Sequence, residues 1–535
     1  MKREILSKRG SNIFKNVGFC CVIMFFLSVF FAFPLGEILI NGFFTFKDFT
    51  AVDFLNLFFQ DDFLKALVFT LKQTISTAFI AICWGFVLAL ILNCDGFYHV
   101  AIVRFCESAF AVPTVVTGFA VLLDFGRSGW IGQYFQNISI YGLSGILLAN
   151  LFYALPFATI CFLQNFKHMP LSILRLRLLL NLSDWRFLKD VFLPYLLQPT
   201  ILIFFQILLV TSQNFTLALE LGGGPGSSTI ETLIYQNIFF TFNLPKAISY
   251  AVMQTLIFGL LGYFAFLSIP QGIRVKTNTP TSIFTNPPGK ILLFLYVAVA
   301  SVLLMAIFLN GFEDQSTFQK FDVQSLIFAL IFSSLFAFCA SLIGQILVHV
   351  ASLCSVWLKI FGYPVLSQSS LAVLFVLATA SPVVMSFGYL LWAGGQNSAF
   401  KIAAIPIVQS VGLFAFLLPL HFSEIKQVVE QTDKLIALLG LSYWKRVTAI
   451  YWPAFKSSIQ RGVLLGFLIV FGQFSVTAVL AKPQVETVTG LIYRLMGQYR
   501  YQHAALVSSI FLLVIALLLI LVHFFSRIER FYAGR

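Results

Sequence analysis

The sequence predicts an all-α polytopic membrane protein with about twelve transmembrane helices, arranged as two parallel repeats of six. Three observations carry this expectation. Hydrophobic residues make up 59% of the 535 and charged residues 10%, with a mean hydropathy of +0.92, which suits a chain immersed in lipid better than a string of soluble domains. Apolar runs close to the roughly 20 residues needed to cross a bilayer recur along the whole length. One short loop pattern occurs twice, at corresponding places in the two halves.

The first apolar run, residues 17–40, follows Lys2, Arg3, Lys8, Arg9 and Lys15. It is too long for a cleaved leader and no small-residue cleavage site ends it, so it is expected to remain as the first span, with the N-terminus inside. In the outer loop 41–65, Asp48, Asp53, Asp61 and Asp62 beside Phe43, Phe44 and Phe46 either attract a cationic solute or keep a plain connection solvated. Further spans fall at 67–92, 105–123, 143–163, 196–219 and 247–269, and then at 291–309, 325–350, 371–392, 402–420, 459–480 and 504–525. The third and ninth hold prolines in similar settings, Ala111-Val112-Pro113 and Ala380-Ser381-Pro382. A proline inside a span frees a carbonyl that a neighbouring helix or a watery cavity must satisfy. The pair therefore marks either a translocation path or two kinks.

Between the sixth and seventh spans, Gln271-Gly272, Pro280 and Asn286-Pro287-Pro288-Gly289 read as a linker without apolar periodicity. The expected organisation is a first repeat over 1–269, a cytoplasmic linker over 270–290 and a second repeat over 291–535. Both repeats start inside, so they are parallel, related by an axis along the membrane normal. The net charge of +13 does not indicate nucleic acid. Lys and Arg concentrate in the segments expected inside and acids in those expected outside, which orients the chain with both termini cytoplasmic.

The eight cysteines lie in or beside spans without paired metal spacing, and the six histidines are scattered. No metal, cofactor or catalytic residue set is expected.

The duplicated loop is Leu179-Leu180-Asn181-Leu182-Ser183-Asp184-Trp185, echoed 259 positions later by Leu438-Leu439-Gly440-Leu441-Ser442-Tyr443-Trp444. Each copy runs the same distance to a proline, Pro194 and Pro453. Asn181 and Gly440 are the residue types that most readily take the left-handed conformation closing a helix. Ser183 and Ser442 stand where an N-cap would start the next one. Two such helix–turn–helix units, within loops 166–195 and 421–458, point to a partner that is itself two-fold. The repeat continues outward. Asn214-Phe215-Thr216 matches Gln473-Phe474-Ser475, and Leu233-Ile234-Tyr235 matches Leu491-Ile492-Tyr493 after a one-residue deletion. An amide deep in an apolar span needs either a cavity or a partner helix, so Asn214 and Gln473 either line a pore or bond a neighbouring helix. The run Gly222-Gly223-Gly224-Pro225 lacks the Lys-Ser/Thr of a nucleotide loop and is expected as irregular backbone at the outer mouth of the path. Pro113, Asn214, Phe215, Gly222, Gly223, Gly224, Pro382, Gln473 and Phe474 are thus the candidates for the translocation path.

The duplicated loop resembles the cytoplasmic loop of ABC importer permeases, Glu-Ala-Ala, three residues, Gly, nine residues, Ile-x-Leu-Pro. Asn181 to Val191 and Gly440 to Ile450 keep its spacing, with Pro194 and Pro453 on its proline. Arg175 and Lys434 replace its Glu, Leu176-Arg177 and Leu435-Ile436 its alanines, and Asn181 the first glycine. The resemblance implies the type I importer permease fold in the bacterial inner membrane. It implies coupling segments at Asn181, Leu182, Ser183, Asp184, Trp185 and Pro194, and at Gly440, Leu441, Ser442, Tyr443, Trp444 and Pro453. It also implies, as partners, two copies of a cytosolic ATPase and a periplasmic binding protein. The permease itself hydrolyses nothing. Among fused two-loop permeases, which serve mainly thiamine and ferric iron, Leu217 to Pro225, Thr229-Ile230-Glu231 and Gly497 to Ala505 look most like the thiamine type. A ferric-iron importer is the alternative, and an ion-gradient-driven transporter a third reading that leaves the duplicated loop unexplained.

Overall fold

A computed structural model describes residues 2–45, 56–93, 97–127, 129–134, 139–167, 169, 173, 179–181, 183–269, 290–312, 321–394, 398–439, 443–481 and 485–533. Among them the regular elements are helical. In the first repeat they are α1 (Lys2–Thr45), α2 (Asp61–Leu92), α3 (Phe97–Phe110), α4 (Thr114–Phe125), α5 (Leu143–Lys167), α6 (Asp184–Phe187), α7 (Leu193–Ser212), α8 (Phe215–Leu221), α9 (Ile230–Phe239) and α10 (Leu244–Leu267). In the second they are α11 (Lys290–Phe312), α12 (Val323–Ile360), α13 (Pro364–Ala378), α14 (Pro382–Ala393), α15 (Ser398–Leu439), α16 (Tyr443–Arg446), α17 (Trp452–Phe471), α18 (Ser475–Leu480), α19 (Val488–Gly497) and α20 (Tyr501–Ala533).

Among the described residues nine helices are long and apolar enough to cross a membrane, and two bent pairs raise the total to eleven. Two differences from the sequence expectation stand out. The expected third and ninth spans are broken rather than kinked. Ile102–Ala109 meets Thr114–Phe125 at 100°, and Pro364–Ala378 meets Pro382–Ala393 at 83°. Pro113 and Pro382 stand at the breaks, where a fixed φ and a missing N–H suit a helix start. Ser381 completes the second start, its hydroxyl accepting from the Val383 N–H at 3.2 Å. The expected fifth and eleventh spans stop early, at Ser212 and Phe471, and short helices α8 and α18 follow each break.

The chain forms two compact units, neither coincident with a sequence repeat. One comprises Met1–Asp48, Ala251–Arg274 and Phe336–Val470, the other Phe49–Tyr250, Val275–Leu335 and Phe471–Arg535. In the first unit α1 packs on α13 and α14 of the opposite repeat. Phe31 meets Phe414 of α15 edge-on at 5.1 Å, and Phe33 lies against Tyr389 and Trp392 of α14. A Cβ at Gly388 would strike the Pro34 carbonyl, so this crossing requires glycine. Small residues at close crossings are what drives association where lipid removes the hydrophobic incentive. Four polar side chains of this unit bond one another. Ser458 donates to Glu424 at 3.0 Å, Arg461 pairs with Glu424 at 3.3 Å, and His421 Nδ1 lies 2.9 Å from the Ser458 hydroxyl. Since Ser458 gives its one proton to the carboxylate, His421 Nδ1 carries the proton of that contact.

In the second unit α2 packs along α5 and α7, and α11 packs on α4 and α20. Gly85 sits against Ala158, where a Cβ would approach to 2.7 Å, and Gly311 sits against Ser509 and the Ala505 backbone. Threonines along α2 bond their own helix, Thr70 to the Ala66 carbonyl at 2.7 Å and Thr74 to that of Thr70 at 2.9 Å, which settles their hydroxyls within the span.

Candidate functional site

Two sets of residues stand out, the duplicated loops and the paired helix breaks. In the first loop Asn181 has φ 45°, the left-handed turn its residue type permits. Ser183 follows, its carbonyl accepting from the Phe187 N–H at 2.9 Å to open the short helix α6. Five residues then form a π turn, Leu188–Phe192, before α7 begins. The second repeat has the same sequence of elements, α16 and then a π turn at Val447–Tyr451, at the same 259-residue offset. The proline two residues beyond each π turn gives the physical reason. Pro194 and Pro453 cannot donate to the carbonyl four residues back and their rings crowd it, and a wider turn relieves the crowding.

The loop is anchored from one side and bare on the other. Phe187 and Phe192 are fully buried, Phe192 against Phe166 at 5.0 Å. In the second repeat Tyr451 takes the place of Phe192, stacked on Phe455 and accepting from the Trp357 indole N–H at 3.4 Å. The upper face of the first loop exposes apolar residues instead, Leu179 at 81% and Trp185 at 70%. Pro194 and Pro453 are exposed as well. Leu182, Gly440, Leu441 and Ser442 lie outside the described residues, as do the side chains of Asp184, Tyr443 and Trp444.

The breaks bring several path candidates together within the second unit. Asn214 lies in the break between α7 and α8, not inside a continuous span, and its amide donates to Asn150 Oδ1 at 3.0 Å and to the Tyr153 hydroxyl at 3.1 Å on α5. Gln473 occupies the equivalent break, where its carbonyl accepts from Thr489 at 3.5 Å. Gly472 presses on Pro113, with room for no side chain, since a Cβ would come within 2.8 Å of the ring. Beyond the breaks, Phe215 packs on Tyr235 and Phe474 on Tyr493, each pair at 4.9 Å between centroids. Phe215 and Phe474 stack on each other at 6.3 Å and 22°. Gly223 takes φ +71° against Tyr141, Gly224 takes φ +145°, and the Gly142 N–H bonds the Leu221 carbonyl at 2.7 Å, so the glycine run folds back on the loop before α5. Pro382 belongs to the other unit.

The tyrosines are held by the fold rather than by chance. Thr229 caps α9 in a reciprocal box with Thr232, and Thr487 caps α19. Thr70 and Ser333, on the long helices α2 and α12, then accept from the free N–H groups of Ile230 (3.2 Å) and Val488 (2.9 Å). Sequence reasoning missed Asn150, Tyr153 and Glu220 as site residues. Each is a polar group in an apolar run, and that signal was available.

Residues 81–274 match the family described as binding-protein-dependent transport system inner membrane component. The match covers somewhat more than a third of the chain. The matched stretch runs from the middle of α2 past α10 and contains the first duplicated loop and the first break. Over longer spans the permease is similar to thiamine transport system permease proteins ThiP. That of Haemophilus influenzae is 27% identical over 487 residues, covering 87% of this chain and 89% of the relative. That of Escherichia coli K12 is 25% identical, covering 86% and 88%, and that of Brucella melitensis 23% identical, covering 84% and 86%. The similarity thus takes in both repeats. The permease is accordingly a non-enzymatic, multi-pass inner-membrane subunit of an ABC importer, which works with an ATPase and a solute-binding protein.

Proposed function

We propose that the permease carries thiamine into the cytoplasm, driven by two copies of a cytosolic ATPase that dock on the two duplicated loops. Both termini then lie in the cytoplasm and a periplasmic binding protein delivers the solute to the α8 and α18 side. The observation that carries the docking reading is the loop itself: a turn fixed by Asn181, Trp185 bare above buried Phe187, and a four-residue helix followed by a π turn, the last two of which recur in the second half. An exposed Trp on a rigid short helix is the kind of side chain that anchors an interface. Closing of the two ATPases against these loops moves each broken span, and access to the path alternates. Thiamine is supported by the relatives' function and by coverage of nearly the whole chain on both sides of each comparison.

The test is ATP hydrolysis by the reconstituted permease and ATPase with a thiamine-loaded binding protein. Stimulation by thiamine is expected in wild type. In Trp185→Ala association with the ATPase weakens by about 2 kcal/mol, roughly thirtyfold, if Trp185 is an anchor. Unchanged association in that variant overturns the docking reading, and stimulation by a different solute alone overturns thiamine.

A further inference from the structure

We propose that the aromatic cluster at the two helix breaks, together with the Glu220 carboxylate, is a binding site for an organic cation that carries a flat aromatic ring. The proposal rests on the thiamine reading and deepens it, since it assigns the solute's charge and ring to particular side chains.

Glu220 lies in α8, five residues after Phe215. Neither of its carboxylate oxygens touches solvent or meets a hydrogen-bond partner. One of them occupies the space a side chain at Gly118 would need, so α4 approaches the acid with bare backbone. A buried carboxylate without a partner is expensive unless a cation or a donor meets it. The fold does not require it: the residue 259 positions later is Val479, which fills the equivalent place in α18 with a methyl-bearing side chain. An acid retained on one repeat only gives the site one charged wall and therefore one orientation for a ligand.

The other walls are aromatic and come from both repeats. Phe215 with Tyr235 and Phe474 with Tyr493 form two matched pairs, joined by the near-parallel contact of Phe215 and Phe474. Glu220 meets α4 at Gly118, and α4 packs on both α8 and α19, the helix that carries Tyr493, so the acid and the rings border one region of the fold. A ligand ring takes the place of one ring in the Phe215–Phe474 stack, and its cation meets Glu220 while lying near the tyrosine faces.

The experiment measures equilibrium binding of thiamine to the whole permease–ATPase complex in nanodiscs, without binding protein, by intrinsic fluorescence. Glu220→Gln is expected to weaken binding about tenfold and to leave the melting temperature of the solute-free complex nearly unchanged, because a buried carboxyl without a partner is neutral until a cation meets it. A merely structural glutamate gives a lowered melting temperature and unchanged binding, which overturns the proposal. Phe474→Ala gives an independent arm, in which weaker binding supports the site and unchanged binding overturns it. Wild type that transports thiamine but shows no saturable binding also overturns it. If thiamine is neither transported nor bound while another aromatic cation binds in a Glu220-dependent way, the site stands and the thiamine reading falls.

Discussion

At the scale of single residues, two positions tie conformation to role. Asn181 holds a left-handed turn at φ 45°, and an ordinary L-residue there costs about 1–2 kcal/mol. Asn181→Gly is therefore expected to leave loop stability and ATPase coupling intact, matching the glycine of the second copy, whereas Asn181→Val lowers both. Melting of the purified complex and its ATPase rate check this together. Gly472 meets Pro113 so closely that Gly472→Val forces the backbone apart, at about 1–3 kcal/mol. Reduced thermal stability with an intact ATPase interface is the expected result. The turn at Asn181 was legible because residue type limits φ directly. The isolation of Glu220 was not, because it depends on which side chains arrive around it, and Val479 in the other repeat shows that the local pattern alone does not choose between them.

Among the elements, length and apolarity made the spans legible, while their interruptions were hidden. Apolar residues resume directly after Gln213-Asn214 and Gly472-Gln473, so these polar positions read as part of one span and not as the ends of α7 and α17. The breaks are tertiary in origin: Asn214 is drawn to Asn150 and Tyr153, and Gly472 is pressed on Pro113. The π turns were hidden for a different reason, since a proline marks strain without saying how the chain relieves it. Removing that strain has a geometric outcome. If Pro453→Ala lets Val447–Tyr451 tighten into α-helix, the loop before it turns by about 100° for the residue absorbed. The expected result is a folded, normally melting permease whose ATPase no longer responds to loaded binding protein. Basal and stimulated hydrolysis separate those effects.

For the whole molecule, the sequence repeats and the compact units are different divisions of one chain. The first span of the chain leaves its own repeat, α1 packing on α13 and α14, and the first span of the second repeat is shared, α11 packing on α20 of its own repeat and on α4 of the other. Two polypeptides cut within 270–290 and made together are expected to assemble into an active permease, and either one alone to fail to accumulate. Copurification of tagged halves, with ATPase activity as the readout, checks this. Normal accumulation of one half by itself would show that the exchange of first spans contributes little.

That exchange also sets a timetable for making the protein. α1 is made well before the helices it packs on, which are finished only after roughly 350 further residues, at about 5–20 residues per second roughly 20 to 70 seconds later. Through that interval it must sit in lipid without its partners, and its properties suit the wait. It is a continuous helix, so its backbone bonds are met internally, and of the nine spans it is the least buried in the finished fold, at 22%. The newborn chain thus parks this segment in the bilayer and collects it once about three-quarters of the message has been read.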